Sequence, residues 1–213
     1  INFAPVIDVN SNPKNPIINN RSFGEIAEKV GIMGLAYMKG MHDNNILACA
    51  KHFPGHGDTD SDSHKTLPTI NKRRYQLKKV ELLPYRMLIK EGLGSIMVAH
   101  LHIPSLDETE NLAVSLSPNV VNDLLKQKMK FTGLAITDAL NMKGVSKFYK
   151  PGEVDLKALI AGNDILLLSE DVPKAIDEIK IAIHQNRITQ AEIDERCYKI
   201  LMAKKWMGLS NYN

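Results

Sequence analysis

Short, almost continuous apolar runs alternate along the chain with segments whose apolar residues repeat at helical spacing. The runs lie at residues 2–9, 46–50, 95–99, 133–137 and 164–168. They have the length of strands, and glycine, proline, asparagine and aspartate residues punctuate the chain around them. Strands without a polar face are typical of parallel sheets that helices cover on both sides. The pattern therefore predicts a parallel α/β fold.

The segment after the first run predicts a long helix. Ser22 and Glu25 have the spacing of a capping box at its start. The apolar stripe that follows at helical spacing consists of Ile26, Val30, Met33, Tyr37 and Met41. Gly31 and Gly34 weaken helical propensity, and we interpret them as positions where this helix packs closely against the sheet.

The later helices are predicted in the same way. They lie at residues 77–91, 118–128 and 154–161, with a restart at Pro84 in the first and a stop at Gly162 after the last. Two C-terminal helices follow. The first has the stripe Val172, Ala175, Ile176, Ile179 and Ile183, and the second has a Thr189–Glu192 capping box and the stripe Ile193, Cys197, Ile200 and Leu201.

Polar residues follow directly at the ends of several predicted strands. Lys51 and His52, His100 and Asp138 each follow or close a different apolar run. In a parallel sheet these positions converge on one face, and a barrel explains the convergence better than an open sheet, which places its ligands at a single switch point. We count five strands and a sixth near residues 112–114. The fold class predicted is therefore a (β/α)8 TIM barrel, represented here by an N-terminally truncated portion of five to six strand-helix units.

Composition narrows the function classes. The 213 residues are 44% hydrophobic and 24% charged, which is typical of a folded domain with a substantial core. A formal net charge of +3, without basic runs between aromatic residues, gives no support for a nucleic-acid partner. The basic cluster of residues 72–74 is interpreted as a solvated turn. Cys49 and Cys197 each lie in an apolar pattern and are predicted to be buried thiols rather than a disulfide.

No apolar run reaches membrane-spanning length, and no signal peptide is found. The chain begins at Ile1 without a methionine and directly in strand-like sequence. We therefore interpret it as a piece of a longer protein with no membrane partner. Its compartment stays open between the cytoplasm and an exported location.

Residues 51–64, KHFPGHGDTDSDSH, concentrate the candidate chemistry, with three histidines and three aspartates after a strand. A metal site is one interpretation, since Asp58, Asp60 and Asp62 alternate as in a calcium loop and His52, His56 and His64 resemble zinc ligands. However, Ser63 and Thr69 stand where a calcium loop needs glycine and glutamate, and no HExxH motif is present. We therefore expect neither metal nor cofactor. A polar surface loop bent by glycine is a second interpretation.

Acid/base chemistry is the third interpretation. Asp62 and His64 are two residues apart, so that the carboxylate can orient one imidazole nitrogen and leave the other to transfer protons. Asp138 qualifies as the nucleophile because it ends a strand on the same predicted face and no lysine or arginine follows it before Lys143. A helix-capping or turn role for Asp138 remains the alternative at this point.

These motifs resemble a known family. KHFPGHGDTDSDSH, with NFAPVIDV and RSFG upstream and AITDALNM downstream, looks like the N-terminal barrel domain of glycoside hydrolase family 3, in its β-N-acetylglucosaminidase (β-N-acetylhexosaminidase) branch. The resemblance covers essentially the whole chain, taken as a single domain over residues 1–213. Family members carry roughly a hundred further residues before NFAPV, with early barrel strands, and these are absent from this sequence.

The resemblance implies a retaining hydrolase of N-acetylglucosamine-containing saccharides, with roles in bacterial carbohydrate metabolism such as peptidoglycan recycling. It implies Asp138 as nucleophile, His64 as acid/base and Asp62 as the partner of His64. The sugar contacts implied are Arg21, Lys51 and His52, and Asp8 also matches a family position, which we interpret as scaffold.

Several alternatives stay open at this point. A non-catalytic sugar-binding barrel and a metal-dependent hydrolase are the rival functions. The aglycone, the balance between hydrolysis and phosphorolysis, and the oligomeric state are not predicted. The isolated piece is expected to be poorly active. As partners we expect either a further domain after the barrel or a second copy of the fragment.

Overall fold

The computed structural model of the chain describes residues 2–59 and 67–209. Its central feature is a parallel sheet of strands β1 (Cys49–Phe53), β2 (Ser95–Val98), β3 (Leu134–Ala139) and β4 (Ile165–Leu167). The spatial order is β1-β2-β3-β4, so each strand pairs with the next one in sequence. This sequential order is that of a (β/α) barrel wall, since a doubly wound sheet reverses its order at a switch point. The predicted parallel α/β class is confirmed.

Residues 2–9 lie beside β1 without forming the predicted strand. Two isolated parallel bridges, Asn2 with Ala48 and Val6 with Lys51, join this segment to the sheet. Between them the Ala4 amide donates to the carbonyl of Asn2 (2.8 Å), and Pro5 has no amide hydrogen to donate. The ladder is interrupted for that reason. The sixth strand predicted near residues 112–114 is also wrong, because a 3₁₀ turn forms there at Val114–Leu116.

Helices flank the strands. They are α1 (Ala27–His42), α2 (Arg74–Lys79), α3 (Leu82–Lys90), a π-helix (Asn119–Lys128), α4 (Lys143–Ser146), α5 (Glu153–Ala161), α6 (Val172–His184) and α7 (Gln190–Trp206), with a further 3₁₀ turn at Asn19–Arg21. The predicted restart at Pro84 occurs two residues earlier, so that Pro84 lies in the first turn of α3, where its missing amide hydrogen costs nothing. No helix within the described ranges is both long and apolar enough to cross a membrane.

Helix α1 differs from its prediction in both its start and its buried face. The Ser22 hydroxyl donates to the Asp8 carbonyl (2.6 Å) instead of capping, and the helix begins only after Ile26. Met33 and Tyr37, which were placed in the buried stripe, are each 46% exposed. Gly31 faces Met87 of α3 rather than the sheet, whereas Gly34 faces Ile7 of the segment that lies beside β1. The close packing predicted from the glycines is thus confirmed, but the predicted partner was wrong for Gly31.

The two faces of the sheet enter different clusters. Side chains such as Ala48, Ile96 and Val98 pack on one face beneath α1 and α3. The alternate side chains, including Cys49 and Met97, pack on the other face with residues of α7. Both faces are therefore apolar, which explains why the strands read as continuous apolar runs.

The ends predicted for the C-terminal helices are confirmed, but the residues predicted to be buried are confirmed only in part. Gly162 ends α5 at φ +113°, and the Thr189 hydroxyl accepts the Glu192 amide (3.2 Å) at the start of α7. Cys49 is buried, and burial raises the pKa of its thiol to about 11. Cys197, however, is exposed, because α7 buries no residue fully.

Candidate active site

A cavity of about 420 Å³ lies at the carboxyl ends of the strands. Its wall is formed by Phe3, Ile17, Arg21, Lys51, His52, His56, Met97, Asp138, Ala139, Leu167 and Leu168. The cavity thus brings together Lys51 and His52 of β1, Asp138 of β3 and Arg21 of the 3₁₀ turn before α1. This convergence at one end of a parallel sheet is what the strand-end positions predicted.

Asp138 is half-buried in the cavity wall. One carboxylate oxygen, Oδ1, accepts the amide of the next residue, Ala139, at 2.9 Å. That contact fixes the orientation of the carboxylate at the end of β3. Such a group is placed to attack a bound substrate or to stabilise positive charge on it.

Lys51 supplies the positive charge that the sequence around Asp138 lacks. Burial and the Arg21 charge lower the pKa of Lys51, while Asp138 raises it. This electrostatic interaction joins a cation on β1 to a carboxylate on β3 across β2. No basic residue lies close to Asp138 in the sequence, but in the folded domain Lys51 interacts with it electrostatically.

His52 is held from below by Asp8, a fully buried carboxylate. Asp8 accepts the amides of His52 and His56 and the ring Nδ1–H of His52, the last at 2.7 Å. Burial alone would raise the pKa of Asp8, but the charge and hydrogen bond of His52, together with those of His56, hold this pKa below its ordinary value. On the other side of the ring, the Arg21 Nη2 donates to Nε2 of His52 at 3.3 Å.

His100 lies at the end of β2 and is fully buried. Its Nε2 donates to the carbonyl of Ala139 (3.0 Å), and its Nδ1 pairs with the hydroxyl of Ser115 (2.7 Å). Burial lowers the pKa of His100, although the Asp138 charge opposes this effect. The neutral ring therefore braces the backbone directly after Asp138. The sequence identified His100 as a strand-end residue but did not predict this contact.

The described residues on either side of residues 60–66 are held by buried and charged contacts. His56 is buried, and its Nδ1 lies 2.8 Å from the hydroxyl of Thr59. Lys72 pairs with Asp58 (3.2 Å) and with the buried Glu81 (2.6 Å). The interpretation of residues 72–74 as a solvated turn is therefore wrong for Lys72.

Three candidate residues lie outside the described residues, namely Asp60, Asp62 and His64. The Asp62–His64 pair therefore stays a prediction. Within residues 2–59 and 67–209, no three histidine, cysteine or acidic side chains group as metal ligands would.

Fold and site together define a domain of the (β/α)-barrel type, with a carboxylate and cations gathered over the carboxyl ends of its strands. The chain belongs to the family described as glycosyl hydrolase family 3 N terminal domain, whose model matches residues 1–203.

Three of the individual proteins that this chain resembles are named as β-N-acetylglucosaminidases or β-hexosaminidases. A β-N-acetylglucosaminidase of this family from Paenibacillus sp. str. FPU-7 superposes with a TM-score of 0.95 at 38% identity, over 100% of this chain and 41% of that one. The β-hexosaminidase A of Pseudoalteromonas piscicida is 34% identical over 96% of this chain and 37% of its own length. The β-hexosaminidase LpqI of Mycobacterium tuberculosis is 33% identical over 96% of this chain and 54% of its own. The chain thus spans between about a third and a half of these relatives.

Proposed function

We propose that this domain carries the active site of a retaining glycoside hydrolase that releases terminal β-linked N-acetylglucosamine. The observation that carries the proposal is the placement of Asp138 in one cavity with Arg21, Lys51 and His52. A carboxylate that shares its cavity with two cationic donors and a histidine ring suits a sugar whose hydroxyls are bound while its anomeric carbon is attacked.

The choice of sugar rests on the relatives. The Paenibacillus protein is named a β-N-acetylglucosaminidase, and two relatives that match 96% of this chain are named β-hexosaminidases. We therefore propose a saccharide containing N-acetylglucosamine as the substrate. A further domain beyond the barrel is also proposed, since all three relatives are longer than this chain.

Asp138 acts first in the proposed mechanism. Because its Oδ1 already accepts the Ala139 amide, we assign Oδ2 as the oxygen that attacks the anomeric carbon. The bond from that carbon to the glycosidic oxygen breaks, and its electron pair stays with the departing oxygen. His64, oriented by Asp62, gives that oxygen its proton. The product of this step is a covalent glycosyl-aspartate.

Water completes the cycle in the second step. His64, now neutral, takes a proton from a water molecule whose oxygen attacks the anomeric carbon from the face that the aglycone left. The bond to Asp138 breaks, and the carboxylate is regenerated. Two displacements at one carbon retain the β configuration.

The cations bind the sugar without taking part in bond exchange. Lys51 donates to sugar hydroxyls, and the Asp138 charge raises the pKa of Lys51 against the lowering effect of burial, which favours the charged donor. Arg21 offers a planar set of donors at the rim of the cavity. These roles, like that of His52, are binding roles in the subsite that holds the terminal sugar.

Leaving-group dependence tests this assignment. In the full-length protein, His64→Ala should slow substrates with poor leaving groups by about 10²- to 10⁴-fold, because only these substrates need their oxygen protonated. Aryl glycosides with acidic phenols should be slowed far less in the glycosylation step. His52→Ala is the matched control and should weaken binding of both substrate classes alike. Equal sensitivity to the leaving group in the two variants would overturn the assignment of the acid.

Two rival functions predict other results. A non-catalytic sugar-binding barrel predicts that the wild-type protein binds N-acetylglucosaminides without turnover. A metal-dependent hydrolase predicts that a chelator abolishes turnover and that a divalent ion restores it.

A further inference from the structure

Asp8 lies behind the cavity wall rather than in it. Its side chain is fully buried, and it is absent from the residues that line the cavity. Within the part of the chain that the structure describes, three N–H groups of His52 and His56 donate to its two oxygens. A carboxylate that accepts from every side in this way stays ionised, because each donor favours its charged form.

Whenever the His52 ring is neutral, the contact with Asp8 decides which of its nitrogens carries the hydrogen. Asp8 Oδ2, at 2.7 Å, accepts from Nδ1, so the hydrogen is on Nδ1 and Nε2 presents a lone pair. A guanidinium can only donate, and Nη2 of Arg21 lies 3.3 Å from this Nε2. The two contacts require the same tautomer and therefore agree.

Arg21 depends on this lone pair for its position. Among the described residues, its guanidinium has two hydrogen-bond acceptors, the carbonyl of Ile17 at 3.2 Å and Nε2 of His52. The first acceptor lies four residues earlier in the chain, just before the 3₁₀ turn that carries Arg21. His52 is the one that ties the guanidinium to the strand that also carries Lys51. Without it, a long and exposed side chain keeps more rotamer freedom at the rim of the cavity.

We propose that Asp8 is a positioning residue for sugar binding: it fixes the His52 tautomer, and His52 in turn holds the Arg21 guanidinium in the cavity. This inference rests on the proposed function, since it takes Arg21 to be a sugar ligand. It assigns to His52 a contribution to affinity that passes through Arg21. It also makes affinity depend on a residue that the sugar never touches.

The contacts from Asp8 through His52 to Arg21 form a relay, and Asp8→Asn replaces one of the acceptor oxygens at its start by an N–H donor. The amide group of asparagine brings N–H donors to a place where three N–H donors already converge. The carbonyl oxygen that asparagine keeps is claimed by the backbone amides of His52 and His56, which cannot give up their hydrogens, so the new N–H group faces the His52 ring. The ring relieves this conflict by moving its hydrogen to Nε2, where that hydrogen then faces the Arg21 guanidinium. We expect Asp8→Asn to raise KM about tenfold, the loss expected for one hydrogen bond to a charged group. If Asp8 acts only through this relay, kcat should change much less than KM, because the Asp138 carboxylate is not altered.

A double-mutant cycle in the full-length protein tests the path of this effect. In an Arg21→Ala background, Asp8→Asn should change KM less than twofold, since the residue that it positions is gone. Asp177→Asn, the same chemical change on the exposed face of α6, is the control and should leave KM unchanged. A tenfold effect of Asp8→Asn in both backgrounds would overturn the relay.

The tautomer itself can be measured without any variant of Asp8. Nitrogen-15 NMR of histidine-labelled protein, with His52→Gln used for assignment, should show a protonated Nδ1 and an unprotonated Nε2 when the His52 ring is neutral. A neutral ring protonated on Nε2 would overturn the proposal even if Asp8→Asn fails to fold. A wild-type protein that turns over no N-acetylglucosaminide would instead refute the proposed function, while the NMR result would still decide the tautomer.

Discussion

His100 shows how burial sets the role of a histidine in this domain. Its two ring nitrogens are both used, one on the Ala139 carbonyl and one on Ser115, so no proton is free for transfer. Burial lowers its pKa and keeps the ring neutral. Its position beside Asp138 therefore makes it a brace for the strand end rather than an acid or a base.

Acid should destabilise the domain through this residue. Below the ordinary histidine pKa of 6.5, the unfolded chain binds a proton at residue 100 that the folded chain does not. The free energy of unfolding should therefore fall as pH drops below 6.5, by up to about 1.4 kcal/mol per pH unit for this one group. Burial also lowers the pKa of His56, which adds an effect of the same sign.

Urea denaturation across this pH range checks the prediction. His100→Gln keeps a donor near the Ala139 carbonyl but cannot titrate, so its unfolding free energy should depend less steeply on pH than that of the wild type. Identical slopes for the two proteins would show that His100 is not the titrating group.

The candidate residues differ in how far the sequence could predict them. Lys51, His52 and Asp138 were predictable because each stands at the end of an apolar run, and such ends converge in a parallel sheet. The hydrogen bond between Asp8 and His52 was not predictable, because it joins residues 44 positions apart through a fold that the local pattern does not specify.

Helix α1 illustrates the same limit for an element. Its existence followed from the helical spacing, but its start and buried face depend on contacts from elsewhere. The carbonyl of Asp8 captures the Ser22 hydroxyl, and α3 rather than the sheet covers Gly31. Local periodicity predicts that a helix has a buried face, whereas the neighbouring elements decide which residues form it.

Two glycines of α1 should respond oppositely to alanine. A Cβ on Gly34 would lie 2.6 Å from Cγ2 of Ile7, whereas one on Gly40 would have no atom within 4 Å. Gly40→Ala should therefore stabilise the domain by about 0.5–1 kcal/mol through helix propensity. Gly34→Ala should destabilise it by about 1–3 kcal/mol through overpacking.

The activity of the Gly34 variant adds a second readout. Ile7 precedes Asp8, so a displaced Ile7 should also disturb the grip on His52 and raise KM. Urea unfolding and kinetics of both variants in the full-length protein provide the check. Greater stability in Gly34→Ala than in Gly40→Ala would contradict the packing described for α1.

At the scale of the whole molecule, the described residues contain four parallel strands, whereas a barrel of this class closes with eight. An apolar groove of about 350 Å³ crosses the opposite end of the sheet from the candidate active site, between the strand starts and α7. Its lining includes Leu47, Leu134, Met202 and Trp206. Open apolar surface of this kind favours association.

Residues 1–213 should accordingly have negligible activity when purified alone. A shift of about 1 Å in the catalytic groups can cost a hundredfold in rate, and an open sheet does not hold such groups rigidly. Sedimentation should also show self-association. A purified monomer of these residues that matches the turnover of the full-length protein would refute this prediction.

The central claim is that Asp138 forms a covalent bond to the sugar. Its most direct test is to treat the full-length protein with a 5-fluoro analogue of N-acetylglucosaminyl fluoride, which slows hydrolysis of such an intermediate, and to map the label by peptide mass spectrometry. The account predicts one sugar on the peptide that contains Asp138, no label in Asp138→Asn, and turnover of that variant reduced by several orders of magnitude. A label on another carboxylate, or an Asp138→Asn variant that keeps a tenth or more of wild-type turnover, would contradict it.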